Sequence, residues 1–362
     1  MNPWLDSPKL ATGDNGVMAS PLITRELRLR GSRVERTLRC RVLQSPLAGV
    51  SDRIFRSLVR RWSSDALLFT EMVNATSLEL GHGRAKVEEL SGELGPIGVQ
   101  LFDHRPAAMA DAARRAEDAG AFLVDINMGC PVRKIARKGG GSGLIRDPEL
   151  ACQIVDAVAA AVGVPVTVKT RLGWCGGTEQ PSTQADAVAW GRRLQDAGAQ
   201  LLTLHGRTRE QRFSGNANWA AIAAVKQSLH IPVIANGDVN SPDDALRCLK
   251  VTGADGVMVG RGTMGAPWLV GQIDAALNGR PIPPTPDPRE RLMLAAEQLQ
   301  ALVEARGDHG LLIARKHMSW TCTGFPGASQ FRQQLMRAST PNLALALLKH
   351  QQDQLASEAK AA

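Results

Sequence analysis

The densest chemical signal in the chain is Asp125-Ile126-Asn127-Met128-Gly129-Cys130-Pro131, which runs on into the glycine-rich stretch 139–143. A cysteine held between Gly129 and Pro131 suits a tight, fixed turn better than a packed strand. A thiol with an ordinary pKa of ~8.5 is protonated at neutral pH and can serve as a general acid. Arg133, Lys134, Arg137 and Lys138 follow at once, with no acid among them. Close to the thiol, these charges would lower its pKa. Farther away, they would hold a phosphate backbone. Sequence leaves both readings open. Cys40, Cys152 and Cys248 read instead as core fillers. The six cysteines form no Cys-x-x-Cys pair, so neither a disulfide framework nor a zinc site is indicated. A reducing, cytoplasmic setting is the expectation.

Two further constellations point to a bound anion. Asn236-Gly237-Asp238 and Gly260-Arg261-Gly262 each stand before a helical pattern, where glycines let backbone N–H groups approach a phosphate. Gly260, Gly262 and Gly265 also spell G-x-G-x-x-G. That is not read as a dinucleotide fingerprint, because it closes the series of units described below and no ribose-binding acid on its own strand follows. Lys169 and His205 form the third constellation. A cation there would stabilise negative charge on a bound ring. An ion pair of Lys169 with Asp125 or Glu71 is the structural alternative. Taken together, the groups suit a phosphate-tailed cofactor with an anionic ring, such as reduced flavin mononucleotide (FMN).

These residues need elements to position them. Eight apolar runs, at 41–49, 66–73, 96–102, 122–129, 165–173, 201–207, 232–238 and 256–262, alternate with amphipathic stretches such as 106–119, 150–162, 186–197 and 242–251. Continuous apolar strands alternating with helices mean a parallel sheet covered on both faces. Eight units over 41–283 match the ~250 residues of an α/β fold of the (β/α)8 TIM-barrel type. A doubly wound sheet is the alternative, and usually has fewer units. Gln100, Asn127, Lys169, His205 and Asn236 recur near the carboxyl ends of successive runs, which implies a shared mouth. The proline-rich segment 280–288 then leads into helical patterns at 289–305, 310–321, 327–338 and 342–356. Residues 284–362 are read as a small helical domain. Residues 1–40 are read as an extension with a disordered start at 1–20, then a polar hairpin about Gly31 that caps the barrel floor.

Composition narrows the function classes. The 362 residues are 44% hydrophobic and 22% charged, an ordinary globular balance. No apolar run approaches the ~20 residues of a membrane helix. Pro3, Asp6, Pro8 and Asp14 interrupt the start where a secretory signal needs an apolar core. A net charge of +8 suits a polyanionic partner as well as solubility. Aromatics are 4% and tyrosine is absent, so a sheet of base-stacking aromatics is hard to build.

At this point the chain resembles the tRNA-dihydrouridine synthases, most closely the bacterial B type, over about 41–340. Residues Val124–Pro131, followed by Lys134 and Gly141-Ser142, carry most of the likeness. Residues 46–52, 98–101, 168–171, 205–208, 236–238, 260–262 and 315–317, with Arg332, support it. The resemblance implies an FMN enzyme, with NADPH as reductant, that reduces uridines in tRNA by hydride to C6 and a proton to C5. It implies Cys130 as the proton donor. Pro46, Leu47, Ala48, Gln100, Lys169, His205, Asn236, Gly237, Asp238, Gly260 and Arg261 would contact FMN, and Asn127 would face the uracil. Lys134, Lys138, Arg207, Arg315 and Lys316 would contact tRNA. No metal, no membrane and no obligate protein partner are expected, and the chain is expected to act as a monomer. Two departures stand out. Leu47 replaces the family's usual methionine, a volume-conserving change. Trp320-Thr321-Cys322 stands where relatives often carry Trp-Tyr, which removes one aromatic contact. Two other functions compete: a flavin barrel acting on a free pyrimidine, like the dihydroorotate dehydrogenases, and a non-catalytic RNA-binding protein. The basic run and the helical domain argue against the first. The assembled Cys130, Lys169 and His205 argue against the second.

Overall fold

Eight short parallel strands form a closed ring. The structure is a computed structural model that describes residues 26–88, 90–175 and 184–361, so the disorder expected for residues 1–20 lies outside the described residues. The strands are β1 (Leu27–Arg30), β2 (Glu35–Leu38), β3 (Val42–Gln44), β4 (Leu68–Phe69), β5 (Val73–Asn74), β6 (Ile97–Phe102), β7 (Leu123–Met128), β8 (Val166–Arg171), β9 (Leu202–His205), β10 (Val233–Asn236) and β11 (Gly256–Val259). The helices up to the end of the barrel are α1 (Arg53–Arg60), α2 (Ala75–Glu79), α3 (Ala85–Glu88), α4 (Pro106–Asp118), α5 (Arg133–Ala136), α6 (Pro148–Ala161), α7 (Gln184–Asp196), α8 (Trp219–Ser228), α9 (Pro242–Thr252) and α10 (Leu269–Leu277). After them come α11 (Pro288–Arg306), α12 (His309–Thr321), α13 (Ala328–Arg337) and α14 (Pro341–Ala361).

The ring runs β3-β11-β10-β9-β8-β7-β6-β4. A parallel bridge between Leu43 and Leu67 closes it, with the Gln44 N–H donating to the Leu67 carbonyl at 3.0 Å. This is the TIM-barrel architecture expected from the eight runs. The runs read as continuously apolar because both faces of each strand are buried. Val99, Val124, Val168, Leu202, Val233 and Val257 belong to the large core cluster that also takes in the helices. Their neighbours Leu43, Leu67, Phe69, Leu123, Leu201, Ile234 and Met258 form a separate cluster inside the ring. Side chains alternate across a strand, so the inward set continues upward along the same faces as Gln100, Asp125, Asn127, Lys169, His205 and Asn236.

β1 and β2 pair antiparallel, with Leu29 opposite Arg36. The sequence reading made this hairpin polar; the structure corrects that. Arg28, Arg30 and Glu35 face out, while Leu27, Leu29 and Leu38 are buried in the same cluster as the inward-facing barrel residues. The period-two pattern gives one polar and one apolar face, and the apolar face plugs the barrel.

Helices α11–α14 build a second core from residues such as Leu292, Leu299, Leu311, Met318, Phe331 and Leu335. The first of them starts on a full capping box, Asp287 with Glu290, and has Pro288 at its first position. Several contacts hold this region against the barrel. Ile54 of α1 packs on its core, and Arg61 pairs with Glu297. Trp320 lies so close to Gly265 that an added Cβ there would come within 2.5 Å of the Trp320 backbone. Leu29 is 0% exposed. Leu29→Ala should therefore destabilise the fold by about 2–4 kcal/mol, read as a lower urea midpoint. An unchanged midpoint would show that the hairpin is not a plug.

Candidate active site

A cavity of about 270 Å³ opens at the carboxyl ends of the barrel strands. All eleven residues expected around a cofactor line it, from Pro46, Leu47 and Ala48 through Gln100, Lys169, His205, Asn236, Gly237 and Asp238 to Gly260 and Arg261; so do Asn127 and Cys130. The inward alternation of the strands brings most of them together. The loops after β3, β10 and β11 supply the rest.

Cys130 lies two residues past the end of β7. The Asn127 Oδ1 accepts the backbone N–H groups of Gly129 at 3.1 Å and Cys130 at 2.9 Å, which folds the turn. The Ser142 N–H donates to the Cys130 carbonyl at 3.1 Å. Gly141 adopts φ +56°, which disfavours a side chain, and an added Cβ would crowd the Cys130 Cβ at 3.1 Å. Burial pushes the thiol above its ordinary pKa, while Arg171 and Lys169 pull it partly back. This settles one question the sequence left open. The charges felt by the thiol come from β8. Arg133, Lys134, Arg137 and Lys138 are exposed, and no hydrogen bond or ion pair engages their side chains among the described residues. A protonated thiol suits proton donation better than nucleophilic attack.

Lys169 donates to the Asn236 Oδ1 at 3.0 Å, and Asn236 in turn donates to the Met258 carbonyl at 2.8 Å. Burial, with Arg171 nearby, lowers the Lys169 ammonium to about 8. Its alternative role as an ion-pair partner is not realised: Glu71 pairs with Lys86 at 3.2 Å, and Asp125 is held by neutral donors. Burial first, then Lys169, Arg171, Arg207 and Arg261, drive the His205 imidazole down to about 2, so it is neutral. Such crowding of cations in a partly dry cavity favours an anion.

The two glycine loops fit a phosphate. Gly237 adopts φ +114°, and a Cβ there would lie 2.8 Å from the His205 ring. The N–H groups of Gly237, Asp238 and Arg261 donate to no protein acceptor among the described residues. The Asp238 carboxylate is turned away. Both of its oxygens accept from Arg207 at 2.8 Å, and one takes the Ala217 N–H at 2.7 Å. Backbone donors, with Arg261 beside them, are thus what this corner offers an anion.

Arg207 needs correcting. The sequence reading placed it on a nucleic acid, but it is 2% exposed and also donates to the Ser214 and Gly215 carbonyls. It braces the loop after β9. Its position beside His205 in the motif hides this, because an inward turn of the chain follows the strand end. Lys134 and Lys138 are exposed beside the mouth, as a surface contact requires. Arg315 and Lys316 are half-buried. Arg315 donates to the Ala338 carbonyl at 3.1 Å, and the Lys316 ammonium approaches Gly49 in the loop after β3.

Arg171 and Phe213 are among the lining residues not singled out from sequence. Arg171 lies two positions after Lys169 on the same face of β8, and that spacing could have found it. It donates to the Gly129, Thr208 and Arg212 carbonyls at 2.8, 2.9 and 2.8 Å, tying the cysteine turn to the loop after β9. Phe213 is 54% exposed at the rim, beneath the guanidinium groups of Arg261 at 4.7 Å and Arg171 at 5.7 Å. No local signal marks it, since only the tertiary path of its loop brings it to the cavity.

The sequence model of the dihydrouridine synthase family matches residues 43–359. The chain belongs to that family. It is 53% identical over 304 residues to a probable tRNA-dihydrouridine synthase 1 of Synechocystis sp., covering 84% of each chain. It is 39% identical to tRNA-dihydrouridine synthase B of Pseudomonas aeruginosa, over 83% of this chain and 89% of that one. The barrel is also similar to solved structures at low identity. Histamine dehydrogenase from a Rhizobium species aligns with TM-score 0.55 at 13% identity, over 76% of this chain and 50% of that one. Morphinone reductase aligns with TM-score 0.51 at 19% identity, over 74% of this chain and 93% of that one. These two likenesses concern the fold alone. The matched residues span both the cavity and nearly all of α11–α14.

The side chain of Arg207 is 3% exposed and that of Asp238 30%. Arg207→Met should cost about 3 kcal/mol, the lower end for breaking a buried pair, because Asp238 keeps some contact with solvent. Thermal unfolding would read this. A variant of native stability with weakened RNA binding would restore Arg207 as a surface contact.

Proposed function

We propose that this chain reduces uridines in tRNA to 5,6-dihydrouridine, with FMN bound in the barrel mouth and NADPH as the source of electrons. The observation that carries the reading is a half-buried thiol, kept protonated, on the rim of an anion-attracting cavity beside a run of exposed cations. The N–H groups of Gly237, Asp238 and Arg261 would hold the phosphate of the cofactor. Lys169 would lie against its ring, with neutral His205 as a further polar contact and Pro46, Leu47 and Ala48 as the apolar side. When bound, the flavin supplies hydride to C6 of the base.

The protein's own part is to hold the base and deliver a proton. Hydride addition at C6 leaves enolate-like charge next to C5. The Cys130 thiol proton moves to C5, and the resulting thiolate is stabilised by Arg171 and Lys169. Asn127 lies beside the thiol, and the one N–H of its amide that Gln100 does not take would be available to a planar base. A uridine inside folded RNA must leave its stack to reach a barrel mouth, so the surrounding backbone needs its own hold. Exposed Lys134 and Lys138, with Arg315 and Lys316 on α12, would supply it. A small free pyrimidine would need neither group, which is why the dihydroorotate-dehydrogenase-like alternative is less favoured.

Cys130→Ala should keep its yellow flavin and still be reduced by NADPH, yet form at least about 100-fold less dihydrouridine, as expected on losing a general acid. Full turnover by this variant would remove the assigned role. Mapping dihydrouridine in tRNA from cells with and without the gene tests the substrate. Reversing charge at Lys134 and Lys138 together should flatten the plot of log affinity against log salt by roughly 1.5–2, for two lost phosphate contacts. A slope equal to that of the unaltered protein would exclude the loop from RNA binding.

A further inference from the structure

We propose that Asp125 is a positioning residue whose carboxylate is the terminal acceptor that anchors a hydrogen-bond chain, through Gln100 and Asn127, that fixes the turn carrying Cys130. Asp125 is 0% exposed inside the barrel, below the cavity, and no role in binding has been given to it. A buried carboxylate is costly, and an apolar residue of similar volume often serves a core better. Its retention here is explained by what it touches.

The Thr167 hydroxyl donates to the Asp125 Oδ1 at 2.7 Å, and the Gln100 Nε2 donates to its Oδ2 at 2.6 Å. An ionised carboxylate only accepts. Gln100 must therefore turn its NH₂ toward Asp125 and its carbonyl the other way. That carbonyl accepts the Asn127 Nδ2 at 2.8 Å. Asn127 is then left with its carbonyl facing the Gly129 and Cys130 N–H groups, at 3.1 and 2.9 Å. Each amide has one orientation because the step before it has one. If the chain were reversed, the Asn127 NH₂ would confront two backbone N–H groups, donor against donor, and both bonds to the turn would be lost. Of the three side chains Asp125 is thus the one that cannot reverse, and it anchors the end of the chain opposite the two backbone N–H donors of the turn. It makes no hydrogen bond to the thiol and does not itself line the cavity, so its influence passes through Gln100 and Asn127, which do.

Three variants test this. Asp125→Leu removes the acceptor at similar volume. Gln100→Met breaks the chain one step later. Asp125→Asn keeps an acceptor for Gln100 and can donate to the Thr167 hydroxyl. The first readout is hydrogen exchange on peptides covering residues 127–132, read by mass spectrometry. The second is the rate at which iodoacetamide alkylates Cys130, resolved by peptide. In Asp125→Leu and Gln100→Met, exchange at the Gly129 and Cys130 amides should rise about tenfold or more, in line with losing a buried hydrogen bond. Alkylation should be about threefold or more faster as the turn loosens around the thiol. Asp125→Asn should stay close to the unaltered protein in both. The proposal falls if Asp125→Leu and Gln100→Met leave both readouts unchanged, or if Asp125→Asn is as loose as Asp125→Leu. Should Asp125→Leu fail to fold, Gln100→Met alone decides the matter.

The kinetic arm rests on the function proposed above. Single-turnover uridine reduction should fall about tenfold in Gln100→Met and return nearly to normal in Asp125→Asn. An unaltered protein that reduces no tRNA, yet shows the expected exchange pattern, would remove the functional reading and leave the positioning role standing.

Discussion

The pleat of eight parallel strands is the constraint on which the rest depends. A barrel strand offers every second side chain to the interior, and that interior runs from a closed floor to an open mouth. Apolar residues such as Leu43, Leu67, Leu123 and Ile234 fill the lower levels, sealed by Leu29 and its neighbours from the hairpin. With that space filled, the inward positions nearest the strand ends can be polar without exposing the core. Asn127, Lys169, His205 and Asn236 occupy them. A register slip of one residue on β7 or β8 would send these groups into the helix layer and aliphatic residues into the mouth.

The mouth carries an excess of positive charge. Lys169, Arg171 and Arg261 line a cavity whose nearest carboxylates are occupied elsewhere, Asp238 by Arg207 and Asp125 by Gln100 and Thr167. Burial first, and then the repulsion of each cation by its neighbours, keep the His205 ring neutral and make Lys169 hold its proton less firmly than in water. A bound anion would relieve this repulsion. The same field gives the thiol its character. Burial keeps the proton on Cys130, while the Val132 backbone N–H and then Arg171 and Lys169 favour the thiolate.

Arg171 shows how rigidity is shared between elements. Its guanidinium spans three carbonyls, one in the cysteine turn and two in the loop after β9. The loop that carries Phe213 to the rim is thereby tied to the turn that carries the thiol. Helix α12 reaches the loop after β3 through Lys316, so the helical region and the cavity share a wall. A large substrate gripped outside the barrel and altered inside it would make use of such a shared wall.

Much of this was determined by sequence alone. Eight apolar runs separated by amphipathic stretches allow few arrangements other than a closed parallel barrel. Residues near the run ends then converge on one mouth. Cys130, Asn127, Lys169 and the two glycine loops were legible for that reason: strand periodicity and tight-turn chemistry are local properties. What only the tertiary structure decided depends on distant segments meeting. Arg207 reads as an exposed cation until Asp238, 31 residues away, is seen to neutralise it. Phe213 gains its place only from the path of its loop, and the hairpin shows its apolar face only against the barrel floor. The charges around the thiol come from the neighbouring strand rather than from the basic run that follows it in sequence. Electrostatic influence depends on distance through space and on burial, and neither is written in the order of residues along the chain.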